Sequence, residues 1–210
     1  MKKIQYGCGP GTQPTGWINF DSSPTLLISK IPIFGHLLTS KRVKFDKKTR
    51  YGDIVKGIPV SEESCDAVFC SHILEHLSYD DFLVAIKNTH RILKNNSVFG
   101  LIVPDLEYHI NQYINDINSD SKSSASISLL RNTHLGYEKH RAKTMFDRIV
   151  SIYGNSRHLW MWDKYSLTKK LKSFGFHSIK IHEKCGSDNM FNEVVNQERL
   201  INSLFITCRK

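Results

Sequence analysis

Short apolar runs alternate along this chain with longer stretches in which apolar residues recur at helical spacing. Lys3 to Cys8 is short and apolar and leads into Gly7-Cys8-Gly9-Pro10-Gly11, which predicts a strand entering a glycine-rich turn. Trp17-Ile18-Asn19-Phe20-Asp21 predicts a second strand, ending on a carboxylate. Ala67-Val68-Phe69-Cys70 is continuously apolar between polar flanks, the pattern of a strand covered on both faces, and it implies helices on both sides of a sheet. Phe82, Ile86, Thr89 and Leu93 then fall on one helical face, with Ser78 placed three residues before Asp81 as a capping start. After the turn Lys94-Asn95-Asn96-Ser97 comes another buried strand, Val98 to Val103, stopped by Pro104-Asp105. Strand, helix and strand in this order predict an α/β fold with a largely parallel sheet.

From Leu106 to His158 the pattern turns helical. Ile110, Tyr113, Ile114 and Ile117 share a face, Ser119 to Ser124 is a polar loop or hinge, and Met145, Phe146, Ile149, Val150 and Tyr153 predict a further helix stopped by Gly154-Asn155. This span reads as a helical insertion. The sheet pattern resumes with a helix from Asp163, where Leu167, Leu171 and Phe174 share a face and Gly175 ends it, followed by alternating strands over His177 to Lys184 and Leu204 to Cys208. With no internal repeat, residues 1–210 read as one domain, with the insertion over 106–158 as a lid and 159–210 completing the sheet.

Composition narrows the class. A chain of 210 residues, 40% hydrophobic and 23% charged, has enough apolar mass for one core and is neither disordered nor fibrous. The greasiest run, Leu26 to Leu38, is interrupted by Lys30, Pro32 and His36, so no membrane span is expected. The first residues lack the apolar region of a secretory signal, and the reading is cytoplasmic. Five cysteines without a C-x-x-C pair predict buried free thiols rather than disulfides or a cysteine zinc site. The balance of 29 basic to 20 acidic residues gives +9, densest from Ser40 to Arg50, a field that attracts polyanions, although a solvated loop is the plainer account because no aromatic and basic interleaving follows.

The glycines after the first strand let backbone approach a ligand closely, and Asp21 is what a ribose diol requires. Too few residues separate Gly11 from Asp21 for a crossover helix, so either the crossover is a bare loop or the second strand lies elsewhere. A pyrophosphate cradle on a helix N-terminus is therefore disfavoured, and a nucleoside ligand without phosphates fits better. At this point Tyr6-Gly7-Cys8-Gly9-Pro10-Gly11 and Gly16-Trp17-Ile18-Asn19-Phe20-Asp21-Ser22-Ser23-Pro24 resemble the start of the class I S-adenosylmethionine-dependent methyltransferases. Tyr51-Gly52-Asp53-Ile54, Cys65-Asp66-Ala67-Val68, Ser71-His72-Ile73-Leu74-Glu75-His76-Leu77, Arg91-Ile92-Leu93-Lys94 and Val103-Pro104-Asp105-Leu106-Glu107 are similar to successive motifs of that family. The tail His158-Leu159-Trp160-Met161-Trp162-Asp163 resembles the branch often found with polysaccharide and glycan assembly enzymes.

The resemblance implies a Rossmann-like sandwich, mostly parallel with an antiparallel last strand and a helical insertion after the fifth. It implies S-adenosylmethionine as cofactor and S-adenosylhomocysteine as product. It also implies that Gly7, Cys8, Gly9 and Gly11 line the methionine part, Asp21 holds the ribose, Asp53 faces the adenine, and Ser71 and His72 flank the cofactor toward the acceptor. Asn95-Asn96-Ser97 departs from the Pro-Gly-Gly usual in the family, at a loop expected to be remote from the cofactor.

His72 and His158 are the candidate catalytic bases for a hydroxyl acceptor, imidazole being suited by its ordinary pKa. Arg131, His134, Tyr137, Lys139, His140 and Arg141 could line a lid over an acidic small molecule or glycan, or form a solvated face. His72-Ile73-Leu74-Glu75-His76 also spells H-x-x-E-H, the frame of a zinc hydrolase. That frame needs a helix where a strand is predicted and shows no third ligand, so no metal is expected and Glu75 and His76 read as helix-start residues. The expected function is methyl transfer to a small molecule or glycan precursor. An RNA-modifying enzyme and a non-catalytic cofactor-binding protein are the alternatives; oligomeric state stays open.

Overall fold

The computed structural model describes residues 1–11, 13–30, 44–136, 157–183 and 190–210. Strands β1 (Lys3–Tyr6), β2 (Trp17–Asp21), β3 (Arg50–Tyr51), β4 (Cys65–Ser71), β5 (Leu93–Pro104), β6 (His177–His182) and β7 (Ser203–Arg209) form one sheet in the order β3-β2-β1-β4-β5-β7-β6. The first five run parallel, while β7 is antiparallel to both β5 and β6. The antiparallel strand is thus last in sequence but lies one place inside the edge. Helices α1 (Pro24–Ser29), α2 (Tyr79–Ile92), α3 (Leu106–Ile117), α4 (Ala125–Asn132) and α5 (Lys164–Ser173) complete the described elements.

Apolar side chains alternate between the two faces of the central strands, and both faces are covered. On one, Val68, Cys70, Leu101 and Val103 pack with Phe82, Ala85 and Ile86 of α2, with Leu167 and Leu171 of α5, and with Trp162. On the other, Trp17, Ala67, Phe69, Ile102 and Phe205 enclose Phe191. The helices start where their caps dictate. Ser78 Oγ accepts the Asp81 N–H at 3.2 Å, and Asp163 Oδ1 accepts those of Tyr165 and Ser166 at 2.9 and 2.7 Å, each satisfying amides that the first helical turn leaves free.

The β1-to-β2 crossover is the bare loop: Lys3 registers with Trp17 and Tyr6 with Phe20, and no helix occurs among the described residues between them. The turn expected at Lys94 to Ser97 is instead a bulge inside β5. Its pairing with β4 jumps from Cys65↔Leu93 to Ala67↔Val98, with Asn96 at φ +60°. β6 does not show the expected alternation, because it is the sheet's edge and most of its residues stay exposed on either face. On α3, Ile110, Ile114 and Ile117 share a face as their spacing predicts, yet remain 40%, 47% and 44% exposed. Ser40 to Val43 of the basic run, the helix predicted over Met145 to Tyr153, Tyr137, Lys139, His140, Arg141, Lys184 and Cys185 lie outside the described residues. Cys8, Cys65, Cys70 and Cys208 are buried and unpaired, as expected.

Candidate functional site

Strand order reverses between β1 and β4, and at such a switch point an open α/β sheet leaves a crevice beyond the carboxyl ends of its strands. The glycine loop follows β1, Asp21 ends β2, Gly52-Asp53 follows β3, and Ser71-His72 ends β4, so four separate motifs meet along one edge. The loop is held open by its chemistry. Gly7, Gly9 and Gly11 have φ of +64°, +68° and +108°, values that a side chain strains. A Cβ on Gly7 would also overlap Ile73, whereas around Gly9 and Gly11 an added Cβ would find empty space. That space is where a ligand can touch backbone.

Asp21 organises this loop from beneath. Only 6% exposed, it accepts the Gly9 N–H at 2.8 Å on one oxygen and the Ser23 N–H at 2.8 Å on the other. Gln13, which the sequence did not single out, grips the loop from its far side, its amide donating to the carbonyls of Cys8, Gly9 and Gly11 at 3.3, 3.1 and 3.4 Å. The Cys8 thiol turns inward to within 3.9 Å of Thr49 Oγ1, so this residue offers a ligand its main chain. Burial, together with the nearby Asp21 charge, pushes that thiol up to about 12. Asp53 uses one oxygen to accept the Val55 N–H at 2.9 Å. Ser71 Oγ is buried without a hydrogen-bond partner among the described residues.

The two candidate histidines meet at a residue the sequence treated as incidental. Glu75 is fully buried, and no backbone or hydroxyl donor among the described residues reaches its carboxylate. His72 Nδ1 lies 3.2 Å and His158 Nε2 3.9 Å from Glu75 Oε1. His72 sits at φ +54° with its Nε2 2.9 Å from the Arg199 carbonyl. Burial opposes its charge, but the Glu75 carboxylate and that carbonyl outweigh burial and raise its pKa above the usual imidazole value. His158 goes the other way, down to about 4, through burial reinforced by the charges of His76 and His134 and only partly offset by Glu75. The rings of His76 and His134 stand edge-on to it, centroids 4.9 and 5.1 Å away.

Main-chain bonds explain the meeting. The Leu159 and Trp160 N–H groups both donate to the Glu75 carbonyl, at 2.7 and 3.1 Å, and the Trp162 carbonyl accepts the Leu106 N–H at 2.9 Å. The 158–162 segment is thereby laid along the turn after β4. Leu74–His76 is a single 3-10 turn rather than the helix that H-x-x-E-H requires, while the third imidazole missing from the sequence pattern is supplied by His158.

A family model described as "Methyltransferase domain" matches residues 4–101. A protein of Aspergillus luteorubrus named as a probable methyltransferase is 26% identical over a 116-residue alignment that takes in 48% of this chain and 40% of the relative. The chain therefore spans well under two thirds of that relative's length. A SAM-dependent methyltransferase of Thermotoga maritima superposes with 100% of this chain and 82% of its own at a TM-score of 0.50 and 15% identity. PigF, solved with SAH, does so with 100% and 50% at 0.51 and 13%. At these identities the solved structures speak for the fold.

Proposed function

We propose, from the premise that this chain carries a class I S-adenosylmethionine-dependent methyltransferase domain, that it methylates a hydroxyl of a small molecule or glycan precursor. One observation carries the reading: an open glycine cradle beside a buried carboxylate, at the carboxyl ends of β1 and β2 where strand order reverses. The unpartnered Ser71 hydroxyl on the neighbouring strand end adds a polar atom in want of a ligand. These residues fit the cofactor: Gly7 to Gly11 for the methionine part, Asp21 for the ribose diol, Asp53 for the adenine end, Ser71 and His72 between cofactor and acceptor. When bound, S-adenosylmethionine supplies an electrophilic methyl group on a sulfonium.

The chain's own work is then alignment, exclusion of water and custody of a proton. His72 and His158 flank Glu75 just past β4 and are the groups placed to hold the acceptor's proton; at pH 7 His158 is neutral and has a lone pair to offer. The excess of basic residues favours an acidic acceptor such as a charged sugar. Four described thiols that are buried and unpaired agree with work in the reducing cytoplasm.

Calorimetric titration of S-adenosylhomocysteine tests the reading. Wild type should bind it, and Asp21→Ala should weaken binding by about 1.5 to 3 kcal/mol, the size of hydrogen bonds to a charged group. Thermal melting of the ligand-free variant separates lost contacts from a lost fold. No binding by folded wild type would end the proposal.

A further inference from the structure

We infer that Glu75, His76 and His158, with His72 at their rim, bind one divalent first-row metal ion such as zinc, manganese or cobalt. Each of the three offers a ligand atom, and these atoms lie within 4.8 Å of one another. Glu75 is an ionisable carboxylate wholly removed from water, and no backbone or hydroxyl donor among the described residues reaches either oxygen. A buried charge left in that state is costly unless a cation or donor compensates it. What faces it is a set of ring nitrogens: His72 Nδ1 at 3.2 Å and His158 Nε2 at 3.9 Å.

The orientation of the rings is the second observation. His76 Nδ1 lies 2.7 Å from the Arg157 carbonyl, and since a carbonyl only accepts, this nitrogen carries the proton and Nε2 the lone pair. His72 Nε2 donates likewise to the Arg199 carbonyl, and its Nδ1 pairs with Glu75 Oε1 at the rim of the site. Backbone carbonyls that fix the tautomer of an imidazole and free its other nitrogen are the usual outer support of metal-bound histidine. The two amides clamped on the Glu75 carbonyl hold the ligands' segments together independently of any ion.

Ligand atoms in a tetrahedral site with bonds near 2.1 Å stand about 3.4 Å apart, so an ion would draw these side chains inward by an ångström or so through side-chain rotation. Two imidazoles and one carboxylate suit zinc, manganese, iron or cobalt better than magnesium or calcium, which prefer all-oxygen sites. Resting on the methyltransferase reading, the cluster's contact with His72, which follows Ser71 at the end of β4, gives the ion a role: to bind the acceptor oxygen and ease its deprotonation near neutral pH. With the ion bound, the His158 lone pair is spent on the metal, so the acceptor's O–H proton passes to water instead, the oxygen forms the new O–C bond, and the pair of the breaking S–C bond stays on sulfur.

The test is metal binding, read without turnover. Chelator-stripped protein is titrated with Co²⁺ while visible absorption is followed, with S-adenosylhomocysteine titrated calorimetrically into the same samples. One equivalent with ligand-field bands is expected, and Glu75→Gln and His158→Ala should each weaken it by about 100-fold or more. His90→Ala, which removes an imidazole from the last turn of α2, should leave it unchanged. The His158→Ala protein should still bind S-adenosylhomocysteine, which shows that it is folded. Absence of saturable binding of Co²⁺, Mn²⁺ and Zn²⁺, or binding indifferent to both ligand variants, overturns the site while S-adenosylhomocysteine binding leaves the methyltransferase reading standing. Metal binding without S-adenosylhomocysteine binding keeps the site and removes its role in methyl transfer.

Discussion

At the scale of single residues, the glycine cradle and the carboxylate beside it were legible and the Glu75 cluster was not, for a physical reason. Gly7 to Gly11 and Asp21 are neighbours in sequence, and their types already state their backbone and charge requirements. Glu75 and His158 meet only because the segment carrying His158 is hydrogen-bonded back onto the turn after β4, a tertiary fact without a sequence period. The sequence did find the thiols, and their chemistry is predictable. Burial raises the pKa of Cys8, Cys65, Cys70 and Cys208, for Cys8 to about 12. Because the thiolate is the reactive form, a disulfide reagent at pH 8 should leave all four intact in the native protein of a Cys185→Ser background and titrate all four in guanidinium. The sign for stability follows: below pH 9 both folded and unfolded thiols are protonated, whereas above it the unfolded chain ionises first. Native stability should therefore fall as pH rises past about 9, visible as a dropping melting temperature. Fast labelling of Cys8 in the native state would contradict its enclosure.

At the scale of elements, helix α2 tests how local signals and packing divide the work. Its start is set by Ser78, whose hydroxyl holds the Asp81 amide, and its seat by Phe82, fully buried with its ring 4.2 Å from that of Trp162. Ser78→Ala should cost about 1 kcal/mol by urea unfolding. Phe82→Ala should cost about 3 to 5 kcal/mol, since it loses transfer energy and leaves a cavity between α2 and Trp162. Equal costs would mean that the cap rather than the core decides the helix. Both features were readable in the sequence, because capping and helical periodicity are local. What misled was context: the polar Lys94 to Ser97 run looks like a strand break, but pairing with β4 on both sides of it keeps β5 continuous. β6 failed for the complementary reason, since alternation needs two different environments and most of this edge strand faces water on both sides.

At the scale of the whole molecule, the charge of +9 is the feature that most invites a nucleic-acid reading, and the pairing of several described cations weighs against counting every basic residue toward one. Several described basic groups are committed to acidic partners: Lys3 to Glu193, Lys94 to Asp66, Lys164 to Glu107, Lys210 to Glu63 and Arg91 to Glu62. These pairs belong to different elements, so the cations they tie up do not add to a single stripe leading to the cradle. Binding to RNA depends on such a stripe, because affinity comes from the number of phosphates neutralised together and declines with salt at about −0.7 per contact in log units for single strands. Cations held in such pairs contribute little to that number. The protein should show only weak RNA retention in low salt and lose it by 150 mM, whereas S-adenosylhomocysteine binding, which relies on hydrogen bonds within an edge of the sheet, should change little over that range. Fluorescence anisotropy with a labelled RNA and calorimetry at matched salt compare the two. Tight RNA binding that persists at 150 mM with a steep slope would reassign the acceptor to RNA, and the basic excess would then belong to its recognition.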